Sequence, residues 1–150
     1  MTLRSPILDF LLLAHVIVGL LGYGSLAMTG TYAHQARRLG PTDAVRRYFD
    51  GSRNLAQLMV YLVPVFGIIV AIAMKSKGEL HDAWFYEAVT LWIISAGVVG
   101  MVVSPLSKLF GSVVVSNHDQ TVTVARKLER GVGICVILYV AAFYLMLFKP

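Results

Sequence analysis

A single cysteine, Cys135, serves the whole chain. It sits in an apolar run, so neither an internal disulfide nor a cysteine-based metal site can be built. Charge is scarce, at 14% of 150 residues, where ordinary soluble domains carry about 25%. The motifs of common catalysis are missing: no phosphate loop, no nucleophile elbow, no carboxylates at catalytic spacing and no H-E-x-x-H. No catalytic residue and no metal site are therefore expected. There is no low-complexity segment and no internal repeat strong enough to argue from. The +5 net charge and pI near 9.6 do not indicate nucleic acid, because the basic residues flank apolar spans, where they anchor and orient helices.

What is present is hydrophobic. The apolar share is 57% and the mean hydropathy +0.73, which excludes an ordinary soluble domain. From Leu55 to Met74 the chain carries no charge, fenced by Arg53 and Lys75. About twenty such residues cross a hydrocarbon core roughly 30 Å thick as a helix. Three more runs of this kind give spans at 7–33, 55–74, 84–103 and 131–148. The first is too long for a signal-peptide core and lacks a small-residue cleavage pattern, so it reads as a retained helix. Crossing the bilayer uses almost the whole length, leaving one integral membrane domain over residues 1–150. The expected fold is all-α, a four-helix transmembrane bundle running up-down-up-down.

Helix boundaries follow from local chemistry. Ser5-Pro6 opens helix one, since Ser caps and Pro suits the first helical position. Gly40-Pro41 stops it. Thr42-Asp43 caps helix two, expected to run unbroken through Arg46 and Arg47 to Met74. Helix three begins near Ala83-Trp84 and crosses to Val103, with Pro105 a kink before a continuation to about Val115. Ser116-Asn117-His118-Asp119 is a turn, with Asp119 capping helix four, which ends near Phe148.

Orientation is read from charge. The turn side carries Arg37, Arg38, Arg46, Arg47, Arg53, Lys108, Arg126, Lys127 and Arg130, and the other side Arg4, Lys75, Lys77 and Lys149. Nine against four puts both turns in the cytoplasm and both termini outside the cell or inner membrane. The helices then outlast the membrane on the cytoplasmic side by two or three turns. Trp84, Phe85 and Tyr86 fit an outer aromatic belt.

His15 is the sharpest candidate for function, because an ionisable side chain at membrane depth is a functional hypothesis by default. It is a candidate haem ligand, a proton-relay group, or a neutral imidazole hydrogen-bonded across the bundle. It lies about 12 Å below the outer end of its span. Phe66-Gly67, Trp92 and Tyr139-Val140 share that depth; none is a second histidine. Trp92 and Tyr139 are its expected hydrogen-bond partners. Asp9 and Glu87 fall in the outer first turns of helices one and three, where the helix dipole favours negative charge. With His15 they would form an outer polar cluster able to admit a proton or cation. Small residues mark helix packing: Gly19 and Gly22 share a face of helix one, Ala96 and Gly100 a face of helix three, and the expected contact joins those two faces. Pro64 reads as a tolerated kink. His34, His81 and His118 read as solvated.

Three stretches together resemble a known family: Leu13-Ala14-His15-Val16-Ile17-Val18-Gly19 through Gly22-Tyr23-Gly24, then Gly100-Met101-Val102-Val103-Ser104-Pro105-Leu106, and the closing Leu145-Met146-Leu147-Phe148-Lys149-Pro150. The chain is similar to a family of small predicted integral membrane proteins built on a domain of unknown function. That family is itself distantly similar to copper-resistance D-type membrane domains and to bacterial membrane protoporphyrinogen oxidase. The resemblance implies a four-helix bundle without a settled activity, and in the haem-linked relatives the position of His15 is implicated in haem binding. The expected function is a non-enzymatic accessory or structural subunit, partnered by the bilayer and by other membrane subunits or itself, a respiratory complex being one setting. No cofactor is expected on that reading. The alternatives are a haem-binding redox or haem-handling protein using His15, and a small transporter using Asp9, Glu87 and His15.

Overall fold

A computed structural model of the protein describes residues 6–50, 55–73, 83–114 and 118–148. Expectations placed on Ser5, Arg53, Met74 to Asp82, Val115 to Asn117 and Lys149-Pro150 lie outside the described residues. Helices account for the regular structure, with no strand among the described residues. The order is α1 (Pro6–Leu39), α2 (Asp43–Tyr48), α3 (Leu55–Ala73), α4 (Ala83–Val98), a π-helical turn (Val99–Val103), α5 (Ser104–Val113) and α6 (His118–Phe148).

Three helical stretches are long and apolar enough to cross a membrane: Pro6–Leu39, Ala83–Val113 and Asp119–Phe148. At about 1.5 Å per residue, the 34 residues of α1 reach roughly 51 Å, well beyond a core of about 30 Å. The 19 residues of α3 give about 28 Å, close to that thickness.

The helix ends have local causes. Gly40 takes φ +83°, a left-handed conformation that suits glycine, and its N–H donates to Ala36 O at 3.1 Å. Thr42 is the N-cap of α2, its side chain accepting from Val45 N at 3.4 Å. Helix two is not continuous as expected: α2 ends at Tyr48, and Phe49 and Asp50 leave helical geometry. Asp50-Gly51-Ser52 is turn-forming chemistry that a long apolar run had overshadowed. Pro105 is accommodated differently from a simple kink. The helix widens into the π turn just before it, and Ser104 N donates back five residues to Val99 O. The missing proline N–H is thereby absorbed without a break.

Packing follows one stripe per helix. In α1 the buried residues are Gly19, Gly22, Tyr23, Leu26, Thr29, Ala33 and Ala36, three or four apart but for the adjacent Gly22 and Tyr23. Thr121, Val124, Ala125, Leu128, Val132 and Cys135 repeat the pattern in α6. The pairs that meet run in opposite directions along the chain. His15 meets Gly67 and Gly22 meets Val60, while Gly30 meets Val132 and Arg37 meets Glu129. α1 is the hub, packed against both α3 and α6, and α6 packs in turn on α4, the π turn and α5. α3 and α4 scarcely touch.

This arrangement corrects the expected pairing of small residues. Gly19 and Gly22 do not serve a seam with Ala96 and Gly100. Gly22 lies against the backbone of Val60 in α3, and Gly19 beside the Tyr139 ring of α6. Gly100 leaves space for the Tyr61 hydroxyl, and Ala96 O accepts from that hydroxyl at 3.4 Å. Each small residue sits where a different neighbour comes close, which a face pattern on one helix does not reveal.

The core is concentrated at the end where α1 finishes and α6 begins. There Phe49 meets Phe110 edge to face at 4.6 Å, and Gly111 lies against the Phe49 carbonyl. Toward Pro6 and Phe148 no residue of α1 before Gly19 is buried, and Ile7 is 72% exposed.

A Cβ on Gly22 would sit 2.8 Å from Val60 N, whereas one on Gly24 would meet nothing within 4 Å. Gly22→Ala is expected to destabilise the protein by about 1–3 kcal/mol, the usual range for overpacking, because backbone must shift. Gly24→Ala is expected to be neutral or slightly stabilising. Thermal unfolding of both variants in one detergent checks the contrast.

Candidate functional site

Pro64 has no N–H, so the carbonyl four residues earlier, that of Val60, loses its helical partner. In hydrocarbon such a group must be satisfied from within the protein. Trp92 of α4 does this: its indole N–H donates to Val60 O at 2.8 Å. With the Tyr61 hydroxyl on Ala96 O, this bond holds α4 to α3 near mid-length. Toward Ala73 and Ala83 the two helices part, and a cavity of about 190 Å³ opens between them.

Its walls are almost wholly apolar. Val63, Pro64, Gly67, Ile68, Val70 and Ala71 come from α3, and Trp84, Phe85, Ala88, Val89 and Trp92 from α4. Met146 closes one side, and Leu12 and His15 of α1 form the back. Ile68 is 45% exposed, so the cavity reaches the molecular surface.

Among the described residues, His15 is the one ionisable group in this wall. Its ring edge lies on Gly67, Cε1 3.1 Å and Nδ1 3.6 Å from where a Cβ would be. A larger residue at 67 would displace the imidazole. The ring also hydrogen-bonds to the Val63 backbone. Nδ1 is buried and has no hydrogen-bond partner among the described residues, a condition shared only with Ser107 Oγ, which lies in α5 away from the cavity. Of the partners expected at this depth, Trp92 has given its N–H to Val60, and Tyr139 stacks on Tyr23 with centroids 4.2 Å apart.

Asp9 and Glu87 are both exposed, and neither lines the cavity. Asp9 is in the first turn of α1, but Glu87 falls in the second turn of α4, beyond the strongest part of the dipole. The described residues contain no group of three or more His, Cys, Asp or Glu placed to hold a metal. A porphyrin, which the family resemblance suggests for His15, does not fit the cavity as it stands. Cavities of about 150 Å³ hold a single benzene ring, so 190 Å³ is a one-ring site.

The remaining polar groups inside the protein join helices. Gln57 Nε2 donates to Thr29 Oγ1 at 3.0 Å, and Thr29 donates to Ser25 O at 2.9 Å. The Tyr48 hydroxyl lies 2.8 Å from the same Thr29 oxygen, tying α1, α2 and α3 together. Tyr23 donates to Ser95 Oγ at 3.2 Å, and Cys135 Sγ lies 3.8 Å from Ser95 O, joining α1, α4 and α6.

One charged cluster escaped sequence reasoning. Beyond the apolar runs, Arg37 grips Glu129 through Nε at 2.8 Å and Nη2 at 3.2 Å. His34, expected to be merely solvated, has Nδ1 3.5 Å from Glu129 Oε2 and 3.2 Å from Arg37 Nη2. Unprotonated, Nδ1 accepts from Arg37; protonated, it donates to Glu129. Partial desolvation works against ionising Glu129, but the bonds from Arg37 and His34 outweigh it and hold the carboxyl below its ordinary range. The signal was available: Arg37 and Glu129 lie at matching depth on two helices of opposite run. Its partner could not be chosen among several nearby charges without the packing.

Two outcomes are expected. Trp92→Phe leaves Val60 O without its acceptor bond and should lower stability by about 1–3 kcal/mol, read by detergent unfolding. Glu129→Gln should lower the melting temperature at neutral pH. A depressed carboxyl pKa contributes stability that is present above the ordinary value near 4.5 and lost as pH falls through the folded value. The gap between wild type and Glu129→Gln should therefore close on acidification below that point, which a pH series of melting curves measures.

No family model, curated protein or solved structure matches this chain.

Proposed function

We propose that this protein is a non-enzymatic accessory subunit of a larger membrane complex, built as a four-helix, up-down-up-down transmembrane bundle in the plasma or inner membrane. The observation that carries the reading is the use made of interior polar side chains. Gln57, Thr29, Tyr48, Tyr23, Ser95 and Trp92 join helix to helix, as a scaffold requires. The up-down arrangement is supported by the opposed runs of α1 against α3 and α6. The length of α3 supports counting it as a fourth span, and the excess of basic residues at the Leu39 and His118 ends supports their cytoplasmic placement.

A haem-binding role for His15 is the second reading, favoured by the partnerless Nδ1. It requires α3 and α4 to separate well beyond their present spacing.

Gentle purification from the native membrane, with a visible spectrum and identification of co-purifying chains, tests both. Partner chains in fixed proportion without a Soret band are expected. A Soret band lost in His15→Leu would replace the accessory reading with the haem one, and a pigment-free protein without partners would overturn both. For topology, a reporter fused after Pro150 should read as extracytoplasmic and one inserted at Gly40-Pro41 as cytoplasmic; the reverse at both sites would invert the orientation.

A further inference from the structure

We propose that the cavity beside His15 binds the headgroup of a lipid-soluble quinone or quinol, its hydrocarbon tail passing between α3 and α4 into the lipid. This goes beyond the accessory role and does not depend on it, since the cavity lies within one chain.

Size selects the ligand first. About 190 Å³ admits one substituted six-membered ring and not a macrocycle. The walls select next. Trp84, Phe85 and Trp92 offer aromatic surface on one side, and Pro64 and Gly67 of α3 line the other. Among the described residues the lining holds no carboxylate, Asp9 and Glu87 lying outside it. The third selection is polar. His15 Nδ1 is buried beside this space and has no partner among the described residues. A neutral imidazole nitrogen donates in one tautomer and accepts in the other. It can therefore bond a ring carbonyl or a ring hydroxyl, and quinone and quinol are the membrane-soluble pair carrying both on one ring. The opening completes the match. α3 and α4 scarcely touch, and exposed Ile68 stands at the mouth, so a ring can enter sideways from lipid while its tail stays outside.

The chain has two tryptophans, and both line the cavity, so its intrinsic fluorescence reports on this site. The test titrates the purified full-length protein in nanodiscs with a decyl-substituted benzoquinone. Saturable quenching of most of the emission is expected. Ala71→Leu, which adds bulk to the cavity wall one turn from Gly67 while leaving His15 in the chain, should abolish the saturable part. His15→Leu should weaken binding about fivefold, the equivalent of one hydrogen bond. Helical circular dichroism and melting curves confirm that each variant is folded; if His15→Leu does not fold, Ala71→Leu alone decides. Quenching that rises linearly with quinone, equally in wild type and Ala71→Leu, would show partition into lipid and overturn the proposal. So would displacement by decylbenzene as effective as by the quinone, which would make the cavity an apolar hole with no use for His15. Quenching by a brominated phospholipid that the quinone cannot displace would assign the space to an acyl chain and overturn it as well.

Discussion

α1 approaches α3 so closely at Gly22 that the Val60 backbone occupies the place of a side chain. In lipid, helices gain little from hiding apolar side chains, so close backbone contact and interhelical hydrogen bonds carry association. The Gly22 approach brings Thr29 within reach of Gln57, and the same Thr29 hydroxyl holds Tyr48. On the other face, Gly19 makes room beside Tyr139, and Tyr23 stacks there while reaching Ser95. α1 thus sets the positions of α3 and α6, and α4 is held mainly through α6.

The cavity follows from that order of attachment. α4 is joined to α3 by Trp92 on Val60 O, a bond that exists because Pro64 cannot complete its own helix. Beyond that strut the cavity opens, with Trp84 and Phe85 of α4 in its wall. His15 looks into this space from α1 because Gly67 has no side chain to exclude it. The two ends of the molecule therefore differ in kind. One is packed through Phe49, Phe110 and Leu128, and the other opens into an apolar cavity.

His15 was legible as a candidate because a histidine among Leu11, Leu12, Leu13, Val16 and Ile17 contradicts its surroundings. Depth counting also put Gly67 and Trp92 at its level. The roles of those neighbours were not legible. Whether Trp92 faces His15, lipid or a free carbonyl depends on helix rotation, and α4 carries apolar residues on every side. The Glu129 cluster was hidden for a related reason, since Arg38 adjoins Arg37 and Arg126, Lys127 and Arg130 flank Glu129.

Hydrophobic length, the helix stop at Gly40, the cap at Thr42 and the histidine at depth were determined by the sequence alone, because each depends on residues adjacent in the chain. Which helices touch, where they part, and how Val60 O and His15 Nδ1 are served were decided only by tertiary structure. Those outcomes depend on pairs such as Gly22 with Val60 and Pro64 with Trp92, tens of residues apart, whose meeting is set by the rotation and spacing of whole helices.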